Sequence, residues 1–173
     1  MVTRVREPGR TRVIPEGAGL RTRVLILEAR FYEHLADALV EGAIAEIQAA
    51  GATWERIAVP GALEIPQALG LAAAAGLLPE SAVNARFGGA VALGCVIRGE
   101  TSHYDIVCNT ANNGLMDVAL RHHIPVGNGI LTVENEAQAL ARARGGREGK
   151  GGDAARACLR LIALSRAFVD ASA

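Results

Sequence analysis

Short apolar runs alternate along this chain with stretches whose apolar positions recur at helical spacing. Val24 to Leu27 is continuous enough to be a buried strand. After Ala29-Arg30-Phe31, the positions Leu35, Leu39, Ala43 and Ile47 repeat every four residues, which predicts a helix that Gly51 can end. Trp54 to Val59 reads as a second strand, Pro60-Gly61 turns the chain, and Pro66 fits the first turn of a helix through Leu69 and Ala73, where its missing N–H costs nothing. Residues 76–88 carry Gly, Pro, Ser and Asn and read as a surface connection. Ala90 to Ile97 has the length and branching of a strand buried on both faces, followed by a helix from about Ser102 to Arg121 through Ile106, Val107, Leu115 and Val118. Ile124-Pro125-Val126 leads into a fourth strand ending at Val133. Glu134 to Ala143 is helical by composition, Arg144 to Gly152 reads as a glycine-rich basic loop, and Ala154 to Phe168 as an amphipathic closing helix with Leu159, Ile162 and Leu164 available for burial. Strands alternate with helices, so the expected class is α/β, a parallel sheet covered on both faces.

The first twenty residues mix Arg, Gly and Pro without periodicity. They are expected to form a flexible arm, in which Thr11 to Ile14 can pair as a short strand and which can add to another subunit, leaving 21–173 as a single domain. A chain of 173 residues, half of them hydrophobic, is long enough for one sizeable core and short for two. Its 18 basic and 18 acidic side chains balance, so no global field draws it to nucleic acid or to an anionic membrane. No apolar run approaches the roughly 18 residues of a membrane span, and no signal-peptide core stands at the start, so a cytoplasmic protein is expected. Cys95, Cys108 and Cys158 are far apart and have apolar neighbours, the pattern of reduced core thiols rather than of disulfides or a metal site.

Candidate chemistry gathers where strands end. Ala90 to Ile97 stops abruptly at a small polar loop with Arg98, Glu100, Thr101 and His103. In open parallel sheets ligands bind beyond the carboxyl ends of the strands, and the first turn of the next helix offers unpaired N–H groups to an anion. Histidine side chains exchange protons near neutral pH, so His103 is placed to move a proton beside such an anion; the competing reading is a solvated Arg98 and a histidine that only decorates a helical turn. Phe31 follows the first strand, where an exposed ring asks for a flat or apolar cover: a ligand ring, a loop or a neighbouring subunit. Pro60-Gly61-Ala62-Leu63-Glu64 sets small residues and one carboxylate after the second strand, to hold a ligand's hydroxyl or amide hydrogens or to favour the helix dipole.

Other patterns fail on spacing. Gly127-Asn128-Gly129 lacks the full dinucleotide fingerprint and marks a close backbone approach in the fourth strand. Gly145-Gly-Arg-Glu-Gly-Lys150 is one residue short of a P-loop, and Gly151 replaces the hydroxyl that would meet magnesium. Arg142, Arg144, Arg147 and Lys150 can hold a phosphate or form a solvated helix end. His122-His123 are adjacent and do not share a helical face, which argues against a metal pair. A basic loop without interleaved aromatics argues against RNA.

Arg30-Phe31, Val59-Pro-Gly-Ala-Leu-Glu-Ile-Pro66, Val96-Ile-Arg-Gly-Glu-Thr-Ser-His-Tyr-Asp105, Asn128-Gly-Ile-Leu-Thr132 and Lys150-Gly-Gly together resemble the lumazine synthase family. The resemblance covers roughly residues 22–168. It implies a three-layer α/β/α sandwich with a four-stranded parallel sheet of flavodoxin-like appearance, the lumazine synthase fold. It also implies condensation of 5-amino-6-(D-ribitylamino)uracil with 3,4-dihydroxy-2-butanone 4-phosphate to 6,7-dimethyl-8-ribityllumazine, a transferase step of riboflavin biosynthesis without metal or redox cofactor. It puts the aminouracil ring on Phe31, and its polar edge and ribityl chain along Ala62-Leu63-Glu64 and Cys95-Val96-Ile97 with Lys150 nearby. Asn128 falls where the family usually brings an aromatic from an adjacent subunit; the butanone phosphate goes to Glu100-Thr101 and Arg142, and His103 matches the proton-transfer histidine. Partners implied are the two small-molecule substrates and a homo-oligomer with sites between subunits of a pentamer, twelve of which form a shell in some members. Asn128 in place of the aromatic, and Tyr32 where asparagine is common, leave a second reading open, a lumazine- or riboflavin-binding or shell-forming homologue without turnover.

Overall fold

The computed structural model describes residues 21–172; the expected N-terminal arm, with Thr11 to Ile14, lies outside the described residues. Four strands, β1 (Arg23–Ala29), β2 (Thr53–Val59), β3 (Gly89–Ile97) and β4 (Val126–Val133), alternate with α1 (Glu33–Ala49), α2 (Glu64–Ala74), α3 (His103–His122), α4 (Glu136–Ala143) and α5 (Lys150–Ser172). All neighbouring strands run parallel, in the order β2-β1-β3-β4. The register sets Leu27 between Ile57 and Ala92, and Leu93 beside Gly129.

Alternation along the central strands sends side chains into two separate cores. Val24, Ile26, Val91, Leu93, Leu131 and Val133 pack with Leu35, Leu39 and Ile47 of α1 and with Ala155, Leu159 and Ile162 of α5. Leu25, Leu27, Ala90, Ala92 and Ile130 face the other way, onto Ile65 and Leu69 of α2 and Ala111 and Leu115 of α3. Burial on both faces explains why these strands read as unbroken apolar runs. Each fully buried Leu or Ile, such as Leu25, Ile26 and Leu27, contributes roughly 1.5–3 kcal/mol. Helix α1 leads from β1 to β2, and the chain then crosses back past β1 to reach β3, so the switch point of the sheet lies between the ends of β1 and β3.

Helices cover both faces of the sheet, as expected, and β2 is left as an edge strand, exposed or half-buried along its length, because the helices pack mainly over β1, β3 and β4. One expectation needs correction: Arg144 to Gly152 is not a loop throughout, since Gly146–Glu148 forms a 3-10 turn and α5 already begins at Lys150. These glycines serve contact rather than looseness. A Cβ on Gly151 would collide with the Leu39 carbonyl, so the first turn of α5 lies directly against the backbone of α1. Glu46, a carboxylate only 8 % exposed on α1, holds the same segment through Arg147 Nε (2.8 Å) and Arg156 Nε (3.2 Å) and Nη2 (3.1 Å). Close approach also explains Gly127, whose Cβ would overlap the carbonyl of Ala154.

Candidate active site

Three loops at the carboxyl ends of β1, β2 and β3 surround a cleft of about 270 Å³ beside the switch point. The first loop brings Phe31 and Tyr32, the second Gly61, Ala62, Leu63 and Glu64, and the third Gly99 and Thr101. Cys95, Val96 and Ile97 from the end of β3 form the floor between them, and His103, Tyr104 and Val107 enter from the start of α3. The lining is mostly apolar with a few convergent polar groups, the usual character of a small-molecule site.

Phe31 is 73 % exposed and meets Tyr32 edge-on, with ring centroids 4.9 Å apart and planes at 74°. The two rings pack in a T-shape, which leaves most of Phe31 open to a flat partner. The loop is anchored below by Glu28, a carboxylate 3 % exposed on β1, which accepts from Arg30 Nη1 at 3.0 Å and from Arg56 Nε at 2.9 Å; Arg30 reaches on to Asp37 at 3.0 Å. Those bonds raise the Arg30 pKa, the Asp37 bond most and the Glu28 bond next, so its charge is permanent.

Glu64 opens α2, where a carboxylate meets the helix dipole, and also lines the cleft. An atom at the Cβ position of Gly61 would lie 3.1 Å from Glu64 Oε2, so the missing side chain leaves room for the carboxylate. His103 opens α3 behind Ser102, and its backbone N–H meets Thr101 Oγ1 at 3.4 Å. Thr101 and His103 therefore share one uncapped helix start, where an anion would find donors.

Cys95 lines the cleft as a thiol: burial first, and then the nearby Cys108, push its pKa up to about 11. Burial also raises Cys158, to about 12, where Sγ lies 3.6 Å from the Pro125 carbonyl. All three cysteines are free. Tyr104 is raised by burial and then by its bond with Cys108, so it is a neutral phenol at physiological pH.

Of the residues singled out in the sequence, Phe31, Ala62, Leu63, Glu64, Cys95, Val96, Ile97, Thr101 and His103 are brought to one cleft. Glu100, Asn128, Arg142 and Lys150 are not part of its lining. Glu100 is an exposed residue of the third loop. Asn128 lies inside β4, where its amide donates to Asn112 Oδ1 of α3 at 2.6 Å and its oxygen accepts from Ile130 N at 3.0 Å. Arg142 on α4 donates to the Gln138 carbonyl at 3.2 Å, and Lys150 pairs with Asp153 at 2.8 Å. Tyr104 and Val107 were missed, although Val107 stands three residues after Tyr104 and four after His103 at the start of α3, spacings that make helical neighbours. Among the described residues, no group of three His, Cys, Asp or Glu side chains is arranged to hold a metal ion, and no helix is long and apolar enough to cross a membrane.

Residues 21–166 match the family model for 6,7-dimethyl-8-ribityllumazine synthase. The chain belongs to this family. Among its relatives, the 6,7-dimethyl-8-ribityllumazine synthase of Azorhizobium caulinodans is 56% identical over 144 residues, covering 83% of this chain and 86% of that protein. The protein of the same name from Methylobacterium radiotolerans is 55% identical over 144 residues, covering 83% and 82%. The 6,7-dimethyl-8-ribityllumazine synthase 1 of Rhodopseudomonas palustris is 49% identical over 149 residues, covering 86% and 89%. The matched span contains every element from β1 to most of α5, and so all three loops of the cleft. The four-stranded parallel sheet with its helices is the α/β fold expected of a lumazine synthase family member.

Proposed function

We propose that this chain is a 6,7-dimethyl-8-ribityllumazine synthase, a transferase of riboflavin biosynthesis that condenses 5-amino-6-(D-ribitylamino)uracil with 3,4-dihydroxy-2-butanone 4-phosphate. The observation that carries the reading is one cleft joining an exposed ring, Phe31, to a carboxylate, Glu64, and to a helix start bearing Thr101 and His103. The aminouracil stacks on Phe31; its polar edge and ribityl chain run along Ala62-Leu63-Glu64 and Cys95-Val96-Ile97. The phosphate of the second substrate meets Glu100-Thr101 at the amino end of α3, where helix N–H groups favour an anion. The 5-amino nitrogen attacks the ketone and water leaves as the imine forms. Phosphate departs by elimination, and the ribitylamino nitrogen closes the second ring with loss of another water. Each step moves a proton, and His103 is the group placed to carry it. Most of the acceleration comes from holding two reactants in register.

Asn128, Arg142 and Lys150 complete the site of a neighbouring subunit. Their absence from the lining of this chain's own cleft supports that reading, as do Ile106, Met116 and Leu120, large apolar residues exposed on α3 that a second copy would cover. The functional unit is a homo-oligomer, a ring of five, in which residues 21–173 of each copy act as one domain. Three free thiols support a cytoplasmic location.

The test is turnover of the purified chain with both substrates, followed as lumazine absorbance. His103→Ala is expected to lower kcat about tenfold or more. Arg142→Ala is expected to raise KM for the phosphate substrate about tenfold, the worth of one charge-assisted contact. Absence of turnover with tight lumazine binding favours the binding homologue; unchanged kinetics in both variants refutes the assigned roles.

A further inference from the structure

Three elements meet at Arg98, two of which, β3 and α3, border the cleft, although Arg98 does not line it. Its backbone N–H donates to the Val133 carbonyl at 2.9 Å, which ties the end of β3 to the end of β4. Its Nε donates to Glu134 Oε2 at 2.8 Å, and Nη1 lies 3.4 and 3.5 Å from the two oxygens of Asp105. Its guanidinium carbon lies 4.1 Å from the centroid of the Tyr104 ring. Tyr104 and Asp105 directly follow His103 in the first turn of α3.

Apart from backbone bonds to the Ser102 carbonyl and the Tyr104 bond with Cys108, that turn has few fastenings of its own. Ser102 stands at the N-cap position with no side-chain bond to the helix, and the Thr101 hydroxyl meets the His103 N–H only at 3.4 Å. A helix start without a cap frays, and the His103 imidazole would then sample several directions. Arg98 supplies an external fastening. A flat cation lies on the ring that follows His103, and its edge donates to a carboxylate on the next strand's exit and to one in the same turn. Lysine has neither the plane nor the fork for this.

We propose that Arg98 is a positioning residue that fixes the first turn of α3, and through it the direction of His103, by stacking on Tyr104 while bridging Glu134 and Asp105. The inference rests on the synthase reading, in which His103 moves protons. Exposed ion pairs contribute little to stability, so loss of the clamp is read in turnover and hardly in unfolding.

The experiment compares kcat and KM for both substrates in the wild-type chain, Arg98→Ala, Arg98→Lys, His103→Ala and the Arg98→Ala/His103→Ala double variant, with thermal unfolding of each. Arg98→Ala should lower kcat about tenfold, with KM for the aminouracil within about twofold and little change in melting. Arg98→Lys should recover only part of the loss. The double variant should be no slower than His103→Ala, because a residue acting through His103 has nothing left to position. The proposal is overturned if the two losses multiply, if Arg98→Lys matches wild type, or if KM rises while kcat holds. A wild-type chain without turnover fails at an earlier step, by removing the synthase reading together with this one.

Discussion

Replacing Glu46 with glutamine removes a charge from beneath the segment that joins α4 to α5 while keeping the side chain's shape. Glu46 accepts three guanidinium hydrogen bonds, from Arg147 and Arg156, at 2.8–3.2 Å. Breaking a fully buried pair costs about 3–5 kcal/mol, and a charge-assisted hydrogen bond contributes about 1.5–3. The arginine side chains, however, are 52% and 33% exposed, so water recovers part of the loss, and glutamine keeps one acceptor oxygen. The expected cost is about 1–2 kcal/mol at neutral pH, or about 2–8 °C in Tm for a chain of this size. Acid adds a second signature. Burial pushes the Glu46 carboxyl up, but the bonds from Arg147 and Arg156 outweigh it and hold the pKa below the ordinary value. A depressed folded-state pKa gives stability that is fully present above the unfolded value, near pH 4.3, and is lost as pH falls through the folded one. The gap between wild type and Glu46→Gln should therefore be constant near neutrality and close in acid. Urea titrations at one protein concentration and stepwise lower pH measure it, since oligomerisation makes midpoints concentration-dependent. Equal midpoints at neutral pH would refute the reasoning, as would a gap that persists well below pH 4.

Phe31→Ala should leave the unfolding midpoint within about 0.5 kcal/mol, because the ring is largely exposed, yet raise KM for the aminouracil about tenfold through lost stacking; parallel urea and steady-state measurements check both, and a fall in stability without a change in KM would make Phe31 a packing residue. Gly127→Ala should destabilise the fold by about 2–3 kcal/mol, since its Cβ meets the Ala154 carbonyl, a backbone atom unable to swing aside. A wild-type midpoint in that variant would show that α5 stands farther from β4 than described.

The number and order of elements were legible in the residues themselves. Val24 to Leu27 and Ala90 to Ile97 could be read as strands because burial on both faces demands unbroken apolar runs, and the repeat from Leu35 to Ile47 because one helical face must meet the sheet. Strand exits at Phe31, Glu64 and His103 pointed to the cleft for an equally local reason, since ligands of an open parallel sheet bind beyond the carboxyl ends of its strands. Local pattern stops at contacts between distant segments. That Glu28 and Glu46 are buried carboxylates held by arginines, that Gly151 lies against α1 within a helix, and that β2 is left at the edge depend on which surfaces meet. Tyr104 became a cleft residue, and Arg98 its clamp, only when β3, β4 and α3 were brought to one corner. Periodicity along one segment determines its own shape; the energy of a buried charge or a missing Cβ is set by atoms many residues away, and folding alone brings those together.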